Sequence, residues 1–149
     1  MLKVIDVLES KDNSIWSVSP QETAYKALEI MADKNIGALL VIDEGQIVGV
    51  FSERDYARKV ILKAKSSKET NVGELMSSPV IYINPEKSIE ECMALMTTTR
   101  HRHMPVIEYG KLIGLISIGD VVNAIITTQK ITIQDLTNYI TGANTTVNA

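Results

Sequence analysis

The chain has one cysteine, one tryptophan and one phenylalanine among 149 residues, and aromatic side chains make up only 5% of it. A lone Cys92 has no internal partner, which excludes a disulfide framework and fits a reducing compartment; its place on an apolar helical stripe makes it a small core residue. Neither sign of charge dominates: 15 Lys and Arg stand against 18 Asp and Glu, a net of -3. That balance offers no general attraction to nucleic acid or to an anionic membrane surface, so neither is expected as a partner. No apolar run approaches the roughly 18 residues of a membrane span, and the opening MLKVIDVLESKD meets charge too early for a signal peptide. A cytoplasmic location is the expectation. Enzyme signatures are also missing: there is no G-x-S-x-G, no P-loop and no cysteine with a convincing histidine partner, so neither catalysis nor a catalytic cofactor is expected.

What is present is repetition. A shift of 65 aligns residues 19–58 with residues 84–123 without a gap, matching Pro20 with Pro85, Met31 with Met96, Val41 and Ile42 with Val106 and Ile107, Gly45 with Gly110, Gly49 with Gly114, Ser52 with Ser117, and Asp55 with Asp120. In each copy a polar residue and a proline, Ser19-Pro20 or Asn84-Pro85, predict a capped helix start, with Glu22 completing a capping box in the first copy. Apolar side chains then recur at helical spacing: Ala24, Ala27, Leu28 and Met31, then Ile89, Cys92, Met93 and Met96. Two β-rich runs flank a glycine turn, DEGQ or EYGK, and predict a hairpin; a last helix should start near Ser52 and Ser117. Short runs at Ile15–Val18 and Val80–Ile83 predict one further strand per copy.

Each unit is therefore β-α-β-β-α, an α/β arrangement with mixed sheets. A unit of roughly 50 residues is too small to cover its own sheet and should pack against its twin. The expected divisions are residues 1–65, 66–127 and a tail, 128–149, with a helix near Ile133–Ile140 stopped by Gly142. The segments VIDVL (Val4 to Leu8) and VGELM (Val72 to Met76) read as matching lead-ins.

The ordered pattern of S/N-P helix start, strand ending VI, glycine turn and G-x-x-S-x-x-D opening the last helix, present twice over residues 1–127, resembles a tandem pair of CBS domains. The resemblance implies a pseudo-two-fold body with two clefts that take adenine-containing ligands, AMP above all, with ATP or NAD(H) as alternatives. It also implies a homodimer and a regulatory role toward a partner protein, an energy or redox sensor without chemistry of its own. The rival reading is a structural dimerisation module that binds no ligand.

Two motifs bear on the choice. In SERD and SIGD, Ser52 and Ser117 can cap a helix whose third residue, Asp55 or Asp120, returns a bond, a purely structural arrangement. The same geometry suits a ligand: free amides and positive potential attract phosphate, and a carboxylate one turn in accepts two ribose hydroxyls. The resemblance makes Asp120 the ribose-binding aspartate, with Ser117 and Gly119 beside it, and Ser52 and Asp55 their counterparts.

The run RHRH is the most unusual. Strand alternation would put His101 and His103 on one face and Arg100 and Arg102 on the other, with one pair toward a cleft and the other toward water. Arg100, Arg102 and His103 are candidate phosphate contacts next to Asp120. Two histidines without cysteine or a nearby acid make a poor metal site. The first copy has Gly37 and Ala38 in place of this run, but carries Arg54, Arg58 and Lys59 on its last helix, so one ligand could bridge the two sets. Met104 and Pro105 are, by the resemblance, walls for a flat base.

Overall fold

Thr23 and Ser88, four residues beyond the expected caps, open the two long helices. A computed structural model of the chain describes residues 1–12 and 14–141. In it the Thr23 hydroxyl accepts from the Lys26 amide at 3.2 Å, the Ser88 hydroxyl from Glu91 at 3.1 Å, and the helices they start are α2 (Ala24–Lys34) and α5 (Ile89–Thr99). The proline turns have a different task. Lead-in helix α4 (Val72–Leu75) donates its first amides to Glu22 and Pro20, at 2.8 Å each, and lead-in helix α1 (Val4–Glu9) donates to Lys87 and Pro85 at 2.9 and 3.0 Å. The carbonyls of these turns satisfy amides that would otherwise be orphaned at a helix start.

The hairpins follow the sequence reading. Strand β2 (Ala38–Asp43) pairs with β3 (Gln46–Ser52), and β4 (His103–Glu108) with β5 (Lys111–Ser117), each with a register shift at the equivalent place. Glu44 and Gly45 both have positive φ (49° and 78°), as do Tyr109 and Gly110 (51° and 75°), the requirement of the two-residue turn that matches strand twist. Strand β1 (Ser17–Val18) joins β2 in parallel. Its expected counterpart at Val80–Ile83 contracts to a single bridge between Ile83 and Val106. The reason is local: the Leu40 amide donates to the Trp16 carbonyl in the first copy, whereas the equivalent residue is Pro105, which has no N–H to give.

Among the described residues three apolar clusters form the core. One joins α2, β2 and β3 with Val72 and Leu75, and a second joins α5, β4 and β5 with Val4, Val7 and Leu8. Each lead-in helix therefore lies in the core of the other copy, so both cores draw on chain from either side of the expected division after residue 65. A third cluster, around Ala38, Leu40 and Val50, packs against Leu112 and Leu115 and seals the hairpins of the two copies together. The stripes behave as read except for Met93, which is exposed, while Cys92 is fully buried and its thiol is pushed up to about 11 by that burial.

After β3 the chain forms α3 (Glu53–Tyr56) and a π-helical turn (Ala57–Ile61); after β5 it forms α6 (Ile118–Thr141). The tail helix expected at Ile133–Ile140 is the distal part of α6 and does not stand apart from it. The proposed stop at Gly142 lies outside the described residues.

Candidate functional site

Strand β3 ends where its side chains meet the facing copy, and Ser52 then caps α3. The Ser52 hydroxyl accepts from the Asp55 amide (3.1 Å), and Asp55 Oδ2 accepts from the Ser52 amide and hydroxyl (3.0 Å each), the reciprocal pair read from the sequence. The other carboxylate oxygen accepts from the Ser77 hydroxyl at 3.3 Å and faces Lys59 Nζ at 3.3 Å; Lys59 also donates to the Leu75 carbonyl at 2.9 Å.

This carboxylate opens onto a cavity of about 510 Å³ between the copies, lined by Ser52, Arg54, Asp55, Arg58 and Lys59 on one side and by Arg100, His101, Arg102 and His103 on the other. An adjoining hollow of about 240 Å³ shares Arg54, Arg100, His101 and Arg102. The Arg54 guanidinium is held below its ordinary range, first by Arg102, then by Arg58 and partial desolvation, with Arg100 adding to the effect. Guanidinium groups from both copies thus crowd one rim, an arrangement whose mutual repulsion an anion would relieve. His101 Nδ1 is buried beside them without a hydrogen-bond partner among the described residues.

The run RHRH does not alternate as a strand. Arg100 ends α5 in the left-handed region (φ 58°), β4 begins only at His103, and all four residues reach the same cavity.

A second cleft of about 360 Å³ contains Ser117 and Asp120. Asp120 Oδ2 accepts from the Ser117 amide at 2.9 Å, repeating the cap, but it also receives Lys11 Nζ at 2.7 Å, and that ammonium donates to the Leu115 carbonyl at 3.1 Å. Burial pushes the Asp120 carboxyl up, yet the Lys11 and Ser117 bonds outweigh it and hold the group below its usual range. Trp16 borders this cleft with Lys34 stacked over its ring at 4.4 Å. His103 and Gly37 line both clefts.

The expected residues therefore divide. Arg100, His101 and Arg102 face Asp55, not Asp120, and His103 borders both clefts, because each cleft is built from the last helix of one copy and the strand entry of the other. Met104 and Pro105 are buried and line neither cleft; Met104 packs in the core of the second copy. Gly119 is exposed on the first turn of α6 and also lies outside both linings. Sequence reasoning missed Lys11 and Ser77, which lie in connecting segments that no motif marks, and Trp16, which the run Ile15–Val18 marks only as strand. Lys59, expected with Arg54 and Arg58 as part of a ligand-bridging set, is tied to Asp55 and to the Leu75 carbonyl. Among the described residues no group of His, Cys, Asp or Glu could hold a metal ion.

Comparison with known proteins places the same duplication in a wider set. A profile of the CBS domain matches residues 6–62 and again residues 72–127. A mitochondrial CBS domain-containing protein of Arabidopsis thaliana is 39% identical over 149 residues, spanning 93% of this chain and 72% of the relative. The structure of a CBS-domain protein of proposed signal-transducing role from Burkholderia ambifaria MC40-6 superposes with a TM-score of 0.82 at 50% identity, over 85% of this chain and 96% of that one. A hexameric CBS-CP12 protein from bloom-forming cyanobacteria superposes with a TM-score of 0.74 at 27% identity, over 82% of this chain and 70% of that one.

Proposed function

The chain belongs to the CBS-domain family as a tandem pair, typically a regulatory module, and from that premise we propose that it binds an adenine nucleotide in the Asp55 cleft and reports occupancy to a partner protein. One observation carries the reading: a capped carboxylate and guanidinium groups from both copies share one cavity. A nucleotide needs both, since the carboxylate suits vicinal ribose hydroxyls and the guanidinium fork suits phosphate oxygens. Ligand held by Arg54 and Arg58 of one copy and Arg100 and Arg102 of the other would tie the copies together, the means by which occupancy becomes a change of shape.

AMP, ATP and NADH are the ligands to compare by calorimetry on the full chain. Saturable binding that weakens in Arg102→Ala supports the proposal; the absence of heat with all three removes it. The structural reading has its own support, because both aspartates already complete capping boxes. It predicts that Asp55→Ala lowers thermal stability and leaves any affinity as it was.

A further inference from the structure

Among the described residues, His103 is the one side chain that lines both clefts. It stands part-buried against the bare backbone of Gly37, where a β-carbon would lie 3.5 Å from His103 Nε2. Its two sides differ in charge. In the Asp55 cleft the cations Arg54, Arg58, Lys59, Arg100 and Arg102 outnumber the acids Glu53 and Asp55. In the other cleft Lys11 and Lys34 are matched by Asp12 and Asp120. A part-buried imidazole beside a surplus of cations gives up its proton, and a phosphate entering that cavity reverses the sign it faces. Burial is the first cause that keeps His103 neutral, with Lys11 and Arg102 reinforcing it and Asp120 and Asp55 opposing it.

We infer, on the footing of the proposed nucleotide site, that binding in the Asp55 cleft is coupled to uptake of a proton by His103, so that acidity regulates occupancy. The direction follows from linkage: a ligand that favours the protonated imidazole raises its midpoint, and the proton in turn raises affinity for the ligand. Through this group, affinity rises as pH falls from the bound midpoint to the free one, and gains nothing further below it. An anion within about 4–6 Å moves such a midpoint by about one pH unit or more, equivalent to about tenfold in Kd. The same proton faces Asp120, so occupancy of one cleft changes the charge presented to the other.

Calorimetry of the full chain with AMP, ATP and NADH at about pH 6, close to the imidazole midpoint, counts the protons when repeated in buffers of different ionisation enthalpy. Wild type is expected to take up about half a proton more per bound nucleotide than His103→Gln, the fraction that a midpoint shift of about one pH unit gives. Taking this difference cancels the nucleotide's own phosphate titration. His101→Gln, which removes the chain's other histidine, is expected to match wild type. NMR titration of the imidazole C–H signals, assigned with His101→Gln, should show the His103 midpoint move up by about one pH unit on saturation. Binding with equal proton counts in wild type and His103→Gln, or uptake lost in His101→Gln instead, overturns the coupling and leaves the nucleotide site standing. An absence of heat with all three nucleotides removes both.

Discussion

Lys11 Nζ lies 2.7 Å from Asp120 Oδ2, with the lysine side chain 31% and the aspartate side chain 23% exposed. The ammonium occupies both the carboxylate oxygen and the Leu115 carbonyl. The two clefts of a duplicated fold are therefore unequal: in one a crowd of guanidinium groups faces Asp55, whose lysine partner, Lys59, stands off at 3.3 Å, and in the other Lys11 from a connecting segment latches the acid at 2.7 Å.

Removing the latch has two expected effects. Lys11→Met leaves a part-buried carboxylate without its charged partner, which costs about 1–2 kcal/mol of stability. It also frees Asp120, so that calorimetry with a nucleotide shows a second binding event absent from the wild type. An unchanged stoichiometry, with the stability loss present, assigns Lys11 a structural role alone.

Asp55→Ala separates sugar binding from helix capping. Loss of a charged hydrogen-bond acceptor is worth about 1.5–3 kcal/mol, so affinity should fall about 10- to 150-fold. Loss of the cap alone costs about 1 kcal/mol and lowers the melting temperature by a few degrees. Asp120→Ala in the wild-type background should change affinity far less, because its cleft is latched. Equal effects of the two substitutions would count against the unequal clefts.

Acid should loosen the junction through His103, which lies between the clefts. Burial first, opposed by Asp120 and Asp55 and reinforced by Lys11 and Arg102, holds its imidazole below the ordinary 6.5. A base with a depressed folded value binds its proton first in the unfolded chain. Its contribution is therefore complete above about pH 6.5 and lost as pH falls toward the folded value. The melting temperature of His103→Gln should decline less than that of the wild type between about pH 7 and 5.5. Parallel curves for the two proteins would show that the histidine is not the group responsible.

Gly49 marks a close approach. A β-carbon there would lie 2.5 Å from Met76 Sδ and 3.0 Å from Met76 Cβ, so yielding requires more than the tip of a flexible side chain. Gly49→Ala is expected to cost about 1–3 kcal/mol by overpacking where α4 meets β3. Urea unfolding measures it, and Gly49→Ala combined with Met76→Ala should recover part of the loss.

Much of this architecture was legible because its signals are local. The turns at Glu44-Gly45 and Tyr109-Gly110, the reciprocal caps at Ser52 and Ser117, and the helical stripes depend on residues a few positions apart. Misreadings arose where local signals compete. Ser19-Pro20 and Asn84-Pro85 look like helix starts, yet their carbonyls serve lead-in helices; the spacing Ser88-x-x-Glu91 held the better signal for the second start. By the family resemblance Pro105 is a wall for a ligand, while in the fold its effect is the missing N–H that shortens a strand.

By itself, then, the amino-acid order determined the duplication, the hairpins, the capped acids and the different placement of the arginines in the two copies, because each is a matter of near neighbours or of comparing the two copies. Only the tertiary structure decided that the lead-in helices exchange cores, that the arginines of both copies meet over Asp55, and that Lys11 closes on Asp120. Those outcomes depend on how two amphipathic units turn to bury their apolar faces against each other, and no short stretch of chain encodes that rotation.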